Sequence, residues 1–356
     1  VLGRVPEAER CGGHALTRRP RVFVTRFIPD PGLPLLQDVF ELLGNTEDRA
    51  LLRQELLAGI PGVDALLCIP ADRIDAEVMG AAGPSLRVIS NYAVGYDNVD
   101  IPAATARGIL VTNTPGVLTE TTADLAWALI LGASRRVAEG DALVRSGQFR
   151  GIFPTFMLGR DVYGKVLGIV GMGRIGTAVA RRAVGFGMSV VYTRSSGPLP
   201  VERVPLGATW RHCGMLDELL AASDIVSVHV PLSPATRHLI GARELAVMRP
   251  GSVVVNTSRG AVIDEAALVE ALRAGPLGAA GLDVYEDEPR LSPGLADLPN
   301  TVLLPHVGSA TIETRSRMAE LAARNAIAAV RGEPAAHSVN PEALERRNHR
   351  RRVPDR

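Results

Sequence analysis

Short β-branched runs alternate along most of the chain with longer stretches in which Ala, Leu and Arg recur at helical spacing. This is the pattern of βαβ units, which build parallel sheets covered by helices on both faces. The runs form two series. The first predicts strands at Val22–Thr25, Ala65–Ile69, Leu86–Ser90 and Leu110–Thr112, with helices over stretches such as Leu35–Leu43 and Asp75–Ala82. The second predicts strands at Val166–Val170, Ser189–Thr193, Ile225–Val230, Ser252–Asn256, Ala279–Val284 and Val302–Leu304. Between the series, Glu120–Leu143 is periodic enough for one long helix, N-capped by Thr119 after the Pro115-Gly116 breaker, and Thr311–Arg331 reads as another.

With 356 residues, two domains are expected, and the balance of 46% hydrophobic and 22% charged residues is that of a folded α/β protein. Lys+Arg 39 against Asp+Glu 38 leaves a net charge of +1, so no global field attracts nucleic acid or an anionic membrane. Cys11, Cys68 and Cys213 are too few and too scattered for a disulfide framework or a zinc site, which suits a reducing, cytoplasmic setting. The apolar stretch around Leu125–Ala133 is about half the roughly 20 residues needed to span a bilayer. Residues 1–19 read as a loose arm, and the Arg-rich residues 341–356 as a solvated basic tail.

The sharpest local signal is Val166-Leu-Gly-Ile-Val-Gly171-Met-Gly173-Arg174-Ile175-Gly176, an apolar strand running into G-x-G-x-x-G and then a helix. Gly171 permits a tight turn, Gly173 lets backbone approach a pyrophosphate, and Gly176 allows close helix–sheet packing. The predicted fold class is therefore α/β with two doubly wound parallel-sheet domains. A Rossmann NAD(P)-binding domain (119–306) is inserted into a flavodoxin-like domain (20–118 and 307–340). About 20 residues beyond the fingerprint, where a carboxylate would hold the ribose of NAD, stand Arg194, Ser195 and Ser196. A guanidinium and two hydroxyls suit a 2′-phosphate, so NADP(H) is favoured over NAD(H). Three further strand ends, Val255-Asn256-Thr257-Ser258-Arg259-Gly260, Gly281-Leu282-Asp283-Val284-Tyr285-Glu286-Asp287-Glu288-Pro289 and Leu303-Leu304-Pro305-His306-Val307-Gly308-Ser309, bring a cation, carboxylates and a histidine to the same sheet edge. Glu286 and Glu288 are rivals as partner of the histidine.

Together with Asn91-Tyr-Ala-Val94-Gly95-Tyr-Asp97-Asn98-Val99-Asp100, Thr114-Pro-Gly-Val-Leu-Thr-Glu-Thr-Thr122-Ala-Asp124, Asp161-Val-Tyr-Gly164-Lys165 and Pro231-Leu-Ser-Pro-Ala-Thr236, these segments resemble those of the D-isomer-specific 2-hydroxyacid dehydrogenases. They are most similar to the glyoxylate/hydroxypyruvate reductases among them, from about Arg21 to Glu333. The resemblance implies reduction of a small 2-oxo acid by hydride transfer. Arg259 would bind the substrate carboxylate, His306 would be the acid and, in reverse, the base, and Glu288 would stabilise its imidazolium. Backbone N–H groups of Val94 and Gly95 would complete the carboxylate site. Cofactor contacts carry over to Met172, Gly173, Arg174 and Ile175 at the pyrophosphate, to Arg194, Ser195 and Ser196 at the 2′-phosphate, and to Val230, Pro231 and Thr236 beside the adenosine. Thr122, Thr257, Asp283 and Gly308 would lie toward the nicotinamide, and Ser258, Arg259 and His306 would be further cofactor contacts. Pro70 and Ala71 depart from the Leu and Ser common in such reductases, and Phe153-Pro154-Thr155-Phe156 stands where relatives carry Trp. A homodimer is expected, from the family's use of the segment around Glu120–Leu143 and from the surplus of apolar side chains Leu125, Trp127, Leu129, Ile130 and Leu131. The competing readings are a phosphoglycerate dehydrogenase-like NAD enzyme, for whose added domain residues 333–356 leave no room, and a dinucleotide-sensing regulator without turnover.

Overall fold

The computed structural model describes residues 18–45 and 47–352, so residues 1–17 of the arm expected over 1–19, and residues 353–356 of the expected tail, lie outside the described residues. The chain separates into two units, after Thr114 and again after Arg317, where the sequence places boundaries after 118 and 306. The second division falls inside a continuous helix, whose uninterrupted period carries no mark of it.

In the first unit β1 (Arg21–Val24), α1 (Gly32–Val39), β2 (Glu41–Gly44), α2 (Arg53–Gly59), β3 (Ala65–Cys68), α3 (Ala76–Ala82), β4 (Val88–Asn91), α4 (Ile101–Arg107) and β5 (Leu110–Thr112) alternate strictly. The sheet order is β2-β1-β3-β4-β5, all parallel, which is the flavodoxin-like order. β3 and β4 are buried at every position, as strands covered on both faces require. The sequence misses β2. Its Leu42-Leu43 continues the period of the preceding helix, which the structure ends at Val39 rather than Leu43.

In the second unit α5 (Thr119–Ser134) and α6 (Val137–Arg145) precede β6 (Val166–Val170), α7 (Arg174–Ala183), β7 (Ser189–Thr193), β8 (Trp210–His212), α8 (Leu216–Ala222), β9 (Ile225–Val228), α9 (Ala242–Val247), β10 (Val253–Asn256), α10 (Glu265–Arg273), β11 (Ala279–Leu282) and β12 (Thr301–Leu303). The order β12-β11-β10-β9-β6-β7-β8 is the doubly wound dinucleotide-binding order, with a seventh strand beyond it. Six strands are expected; β8, three residues long and half exposed at the sheet edge, is the one missed.

The single helix expected over Glu120–Leu143 is two. Arg136 adopts a left-handed conformation (φ 55°) between α5 and α6 and pairs with Glu139 at 2.6 Å. Thr119 is not the cap: Leu118 holds that position and offers no side-chain acceptor. The apolar surplus of α5 is spent inside the unit, since Trp127, Leu129 and Ile130 are buried. Trp127 stacks on Phe186 at 4.4 Å and donates to Val179 O at 3.0 Å. These three side chains are therefore unavailable to a second subunit.

The chain returns to the first unit along α11 (Ile312–Arg331), whose small face Ala319, Ala322, Ala323 and Ala326 is fully buried. Residues 337–340 then run antiparallel along β5, with Asn113 N donating to His337 O (3.2 Å) and Val339 N to Val111 O (2.8 Å). The tail expected over 341–356 is not simply solvated. Ala343–Arg352 form a helix, α12, packed on α4, with Ala343 buried and Gly108 leaving space for Arg347. The arginine run hides a good helix-forming stretch, Ala343-Leu-Glu-Arg346. Arg18 and Arg19, assigned to the arm, are bound to the first unit, Arg18 to Asp64 at 3.0 Å and Arg19 to the Gln37 carbonyl.

Candidate active site

Gly171 follows β6 with φ 97°, a conformation other residues rarely adopt, and a Cβ there would lie 2.7 Å from Val230 Cγ1. A Cβ on Gly176 would lie 2.3 Å from Gly171 O, so β6 and α7 can meet this closely only without side chains. Above Gly173 there is open space, and α7 starts there with no side chain capping it, so its first N–H groups remain available to an anion. Arg174 and Ile175 open that helix. Met172 is taken up by the fold instead: its side chain is buried and its N–H donates to Thr193 O at 3.0 Å. Its N–H is therefore not available for the pyrophosphate contact expected of Met172.

Arg194, Ser195 and Ser196 form a turn after β7, closed by Gly197 N donating to Arg194 O at 3.2 Å. Among the described residues the Arg194 guanidinium has only a long contact of 3.5 Å to Pro198 O, and both serines are exposed. Val230 and Pro231 follow β9. The Thr236 hydroxyl closes its own loop, donating to Pro231 O (2.6 Å) and accepting from Ser233 N (2.8 Å), so it is occupied rather than turned to a ligand.

Two buried oxygens at the same strand ends, Asp283 Oδ2 and Thr257 Oγ1, make no hydrogen bond of normal geometry among the described residues. Asp283 Oδ1 accepts from Val307 N at 2.7 Å, and burial pushes its carboxyl up. An orphaned acceptor following β11 and an orphaned hydroxyl following the neighbouring β10 match the donors and acceptor of a nicotinamide carboxamide, so the residues present fit a dinucleotide along this edge. Thr122 donates to Gly308 O at 3.1 Å, and the Ser258 hydroxyl to Asn256 Oδ1 at 2.8 Å. Among the described residues no group of three or more His, Cys, Asp or Glu is arranged to hold a metal ion.

The reactive side chains come from three successive strand ends. Asn256, last residue of β10, accepts from Ser258 N (3.0 Å) and donates to Arg259 O (2.9 Å), folding a tight turn that presents Arg259. After β11 the chain turns through Glu288, whose Oε1 accepts from Tyr285 N at 3.0 Å. After β12 stands His306 in a left-handed conformation (φ 55°), its Nδ1 2.8 Å from Glu288 Oε2. Burial alone would raise the Glu288 carboxyl; the hydrogen bond and charge of His306, the Tyr285 N–H and the Arg259 charge prevail and hold it below the usual range. Glu286, the rival, points elsewhere: its Oε1 lies 2.7 Å from both Arg237 Nη2 and His238 Nε2. Burial pushes the Tyr285 phenol up to about 12, so it stays protonated and donates to Leu304 O at 2.9 Å.

The loop after β4 is described within the first unit. Thr114 N donates to Ala93 O (2.8 Å) and Asn113 Nδ2 to Val94 O (2.8 Å). In a trans peptide the N–H points opposite the carbonyl, so these bonds turn the N–H groups of Val94 and Gly95 the other way. Asn91 Nδ2 pins Gly95 O at 2.8 Å, and Asn98 joins the same network through Asn91, Ile69 O and Asp72 O. Sequence reading names Asn91, Asn98 and Asn256 within motifs but gives them no role, and passes over Asn113, although an Asn ending a strand is a recognisable turn signal.

A family model for the D-isomer specific 2-hydroxyacid dehydrogenase NAD-binding domain matches residues 127–308. The chain is 49% identical to a glyoxylate reductase of Thermococcus gammatolerans over 332 residues, 92% of this chain and 98% of that protein. It is 50% identical to a glyoxylate reductase of Korarchaeum cryptofilum, with the same coverage. Among solved structures, it is similar to an NADPH-dependent glyoxylate/hydroxypyruvate reductase from Sinorhizobium meliloti in complex with NADP and malonate. The TM-score is 0.79 at 36% identity, covering 92% of this chain and 98% of that one. A family model spanning half the chain, and a relative matched over 92% of this chain with about half the residues in common, place this protein among the D-isomer-specific 2-hydroxyacid dehydrogenases.

Proposed function

We propose that the protein reduces glyoxylate and hydroxypyruvate to glycolate and D-glycerate with NAD(P)H, preferring NADP(H), and that it works as a homodimer in the cytoplasm. The observation that carries the reading is the His306–Glu288 contact of 2.8 Å on the same sheet edge as Arg259. The Arg259 guanidinium binds the substrate carboxylate, and its charge draws electron density from the adjoining carbonyl. Because Nδ1 is held by Glu288, Nε2 is the ring atom that delivers the proton to the carbonyl oxygen. Glu288 compensates the imidazolium while it waits. The nicotinamide, when bound, supplies the hydride. Asp283 Oδ2 would accept from the carboxamide of a bound nicotinamide and so orient its ring.

The names of the relatives support the substrate class, and the NADP complex of the Sinorhizobium enzyme supports the cofactor class. The preference for NADP(H) rests on Arg194, to which no carboxylate is paired among the described residues, and on the hydroxyls beside it. The dimer rests on another observation than the one expected from sequence: Val137 and Val144 of α6 and Phe149, Ile152, Phe153, Phe156 and Leu158 of the following segment are all exposed. Buried free thiols at Cys68 and Cys213 agree with a reducing compartment.

Purified protein should consume NADPH when glyoxylate is added, and His306→Ala should lower turnover roughly 10²–10⁴-fold while NADPH affinity stays within a few-fold. Arg194→Asp should lower kcat/KM with NADPH roughly 10²-fold and with NADH far less. Tight NADPH binding without turnover of any 2-oxo acid would instead identify a sensor.

A further inference from the structure

We infer that Glu265 is a positioning residue for the acid–base pair: its carboxylate clamps the turn that carries Glu288 and so fixes how Glu288 meets His306. The inference rests on the reading of His306 and Glu288 given above. Glu265 opens α10 yet is only 4% exposed, an unusual place for a carboxylate. Helix capping does not explain it, because Asp264 already caps α10 by accepting from Ala267 N at 3.0 Å. Both Glu265 oxygens instead accept backbone N–H groups of the turn, Oε2 from Glu286 (2.7 Å) and Oε1 from Ser292 (2.9 Å). These donors lie two residues before Glu288 and four after it, so one carboxylate closes the turn at both ends.

The same turn is held from a second direction. A Cβ on Gly260 would fall 1.8 Å from the Tyr285 carbonyl carbon, so the segment joining Arg259 to α10 lies directly against the turn's backbone. Arg259, Glu265 and Glu288 are thereby parts of one packed body. Arg259 acts on Glu288 within the pair, Asp283 feels the charges of both His306 and Glu288, and Tyr285 beside them feels Glu288, Asp283 and Glu265.

Two variants separate geometry from charge. Glu265→Gln removes the charge and one of the two acceptors, whereas Glu265→Asp keeps the charge but is one methylene too short to reach both N–H groups. Both should lower kcat/KM for glyoxylate reduction roughly tenfold to 10²-fold and move its alkaline decline to lower pH, with KM for NADPH unchanged within a few-fold. A wild-type profile in Glu265→Asp alongside a shifted one in Glu265→Gln would show that only the charge matters and overturn the positioning role. So would unshifted profiles in both. Glu288→Gln is measured alongside: if it leaves the decline in place, the acid–base reading has failed; if it moves the decline and the Glu265 variants do not, only the present inference has. Should neither variant fold, amide exchange in the wild-type protein decides. The Glu286 and Ser292 amides should be slowed about 10²-fold or more relative to unprotected amides, and free exchange at both would end the proposal.

Discussion

Glu286 closes on Arg237 and His238 whereas Glu288 closes on His306, so two glutamates two residues apart should separate in a single pH titration. Glu288→Gln should move the alkaline decline of kcat/KM for 2-oxo acid reduction to lower pH, and Glu286→Gln should leave it in place. Stability gives the complementary test. The Glu288 carboxyl is held below its usual range in the fold, so its contribution is present above the unfolded value of about 4.3 and disappears as pH falls through the lower, folded one. The Tm difference between wild type and Glu288→Gln should therefore be level down to about pH 5 and shrink below it. It should also be small, because both side chains are more than a third exposed, at 37% and 35%. Asp283 behaves oppositely, being raised by burial. Asp283→Asn keeps an acceptor for Val307 N and removes a buried charge, so Tm at neutral pH should be unchanged or higher. NADPH should bind about tenfold more weakly, since the acceptor for the carboxamide is gone.

Between elements, the closest approach that matters for dinucleotide binding is that of α7 to the turn after β6. Gly176→Ala would put a methyl 2.3 Å from Gly171 O, so it should push the helix start away from the sheet. A loss of about 1–3 kcal/mol in denaturant titration, with weaker NADPH binding by equilibrium titration, is the expected outcome. The fingerprint is legible in sequence for the same reason that it is fragile: each glycine answers a constraint imposed within a few residues. The central strands are legible too, because burial on both faces makes them continuous apolar runs. What sequence does not disclose is decided over longer range. β2 and β8 are edge strands of four and three residues, half exposed, whose pairing rather than pattern makes them strands. The break between α5 and α6 rests on one left-handed arginine. Glu265 reads as an ordinary acidic residue in a first helical turn until the loop 21 residues later is seen to donate to it.

At the scale of the whole molecule, the proposed dimer is favoured by the apolar surface of α6 and the segment after it rather than by α5. Ile152 is 92% exposed, and Phe153 and Phe156 meet edge to face at 6.2 Å. Light scattering should report about twice the 37.7 kDa chain mass, and Ile152→Asp combined with Phe153→Ser should yield a folded monomer. A wild-type mass of one chain at micromolar concentration would contradict the dimer. The first unit is itself assembled from the two ends of the described chain: the open side of β5 is covered by residues 337–340, and Asn340 stitches them down through Val111 N (2.7 Å) and Ile109 O (3.0 Å). During synthesis this imposes an order. The second unit, made of 115–317, has all its strands once residue 317 has emerged, while β1 to β5 have already waited, with one sheet edge bare and no α11 beneath them. The earliest strands made are thus among the last to be sheltered, and their exposed interval on the ribosome lasts for the translation of roughly two hundred residues, or about 10–40 seconds at ordinary elongation rates.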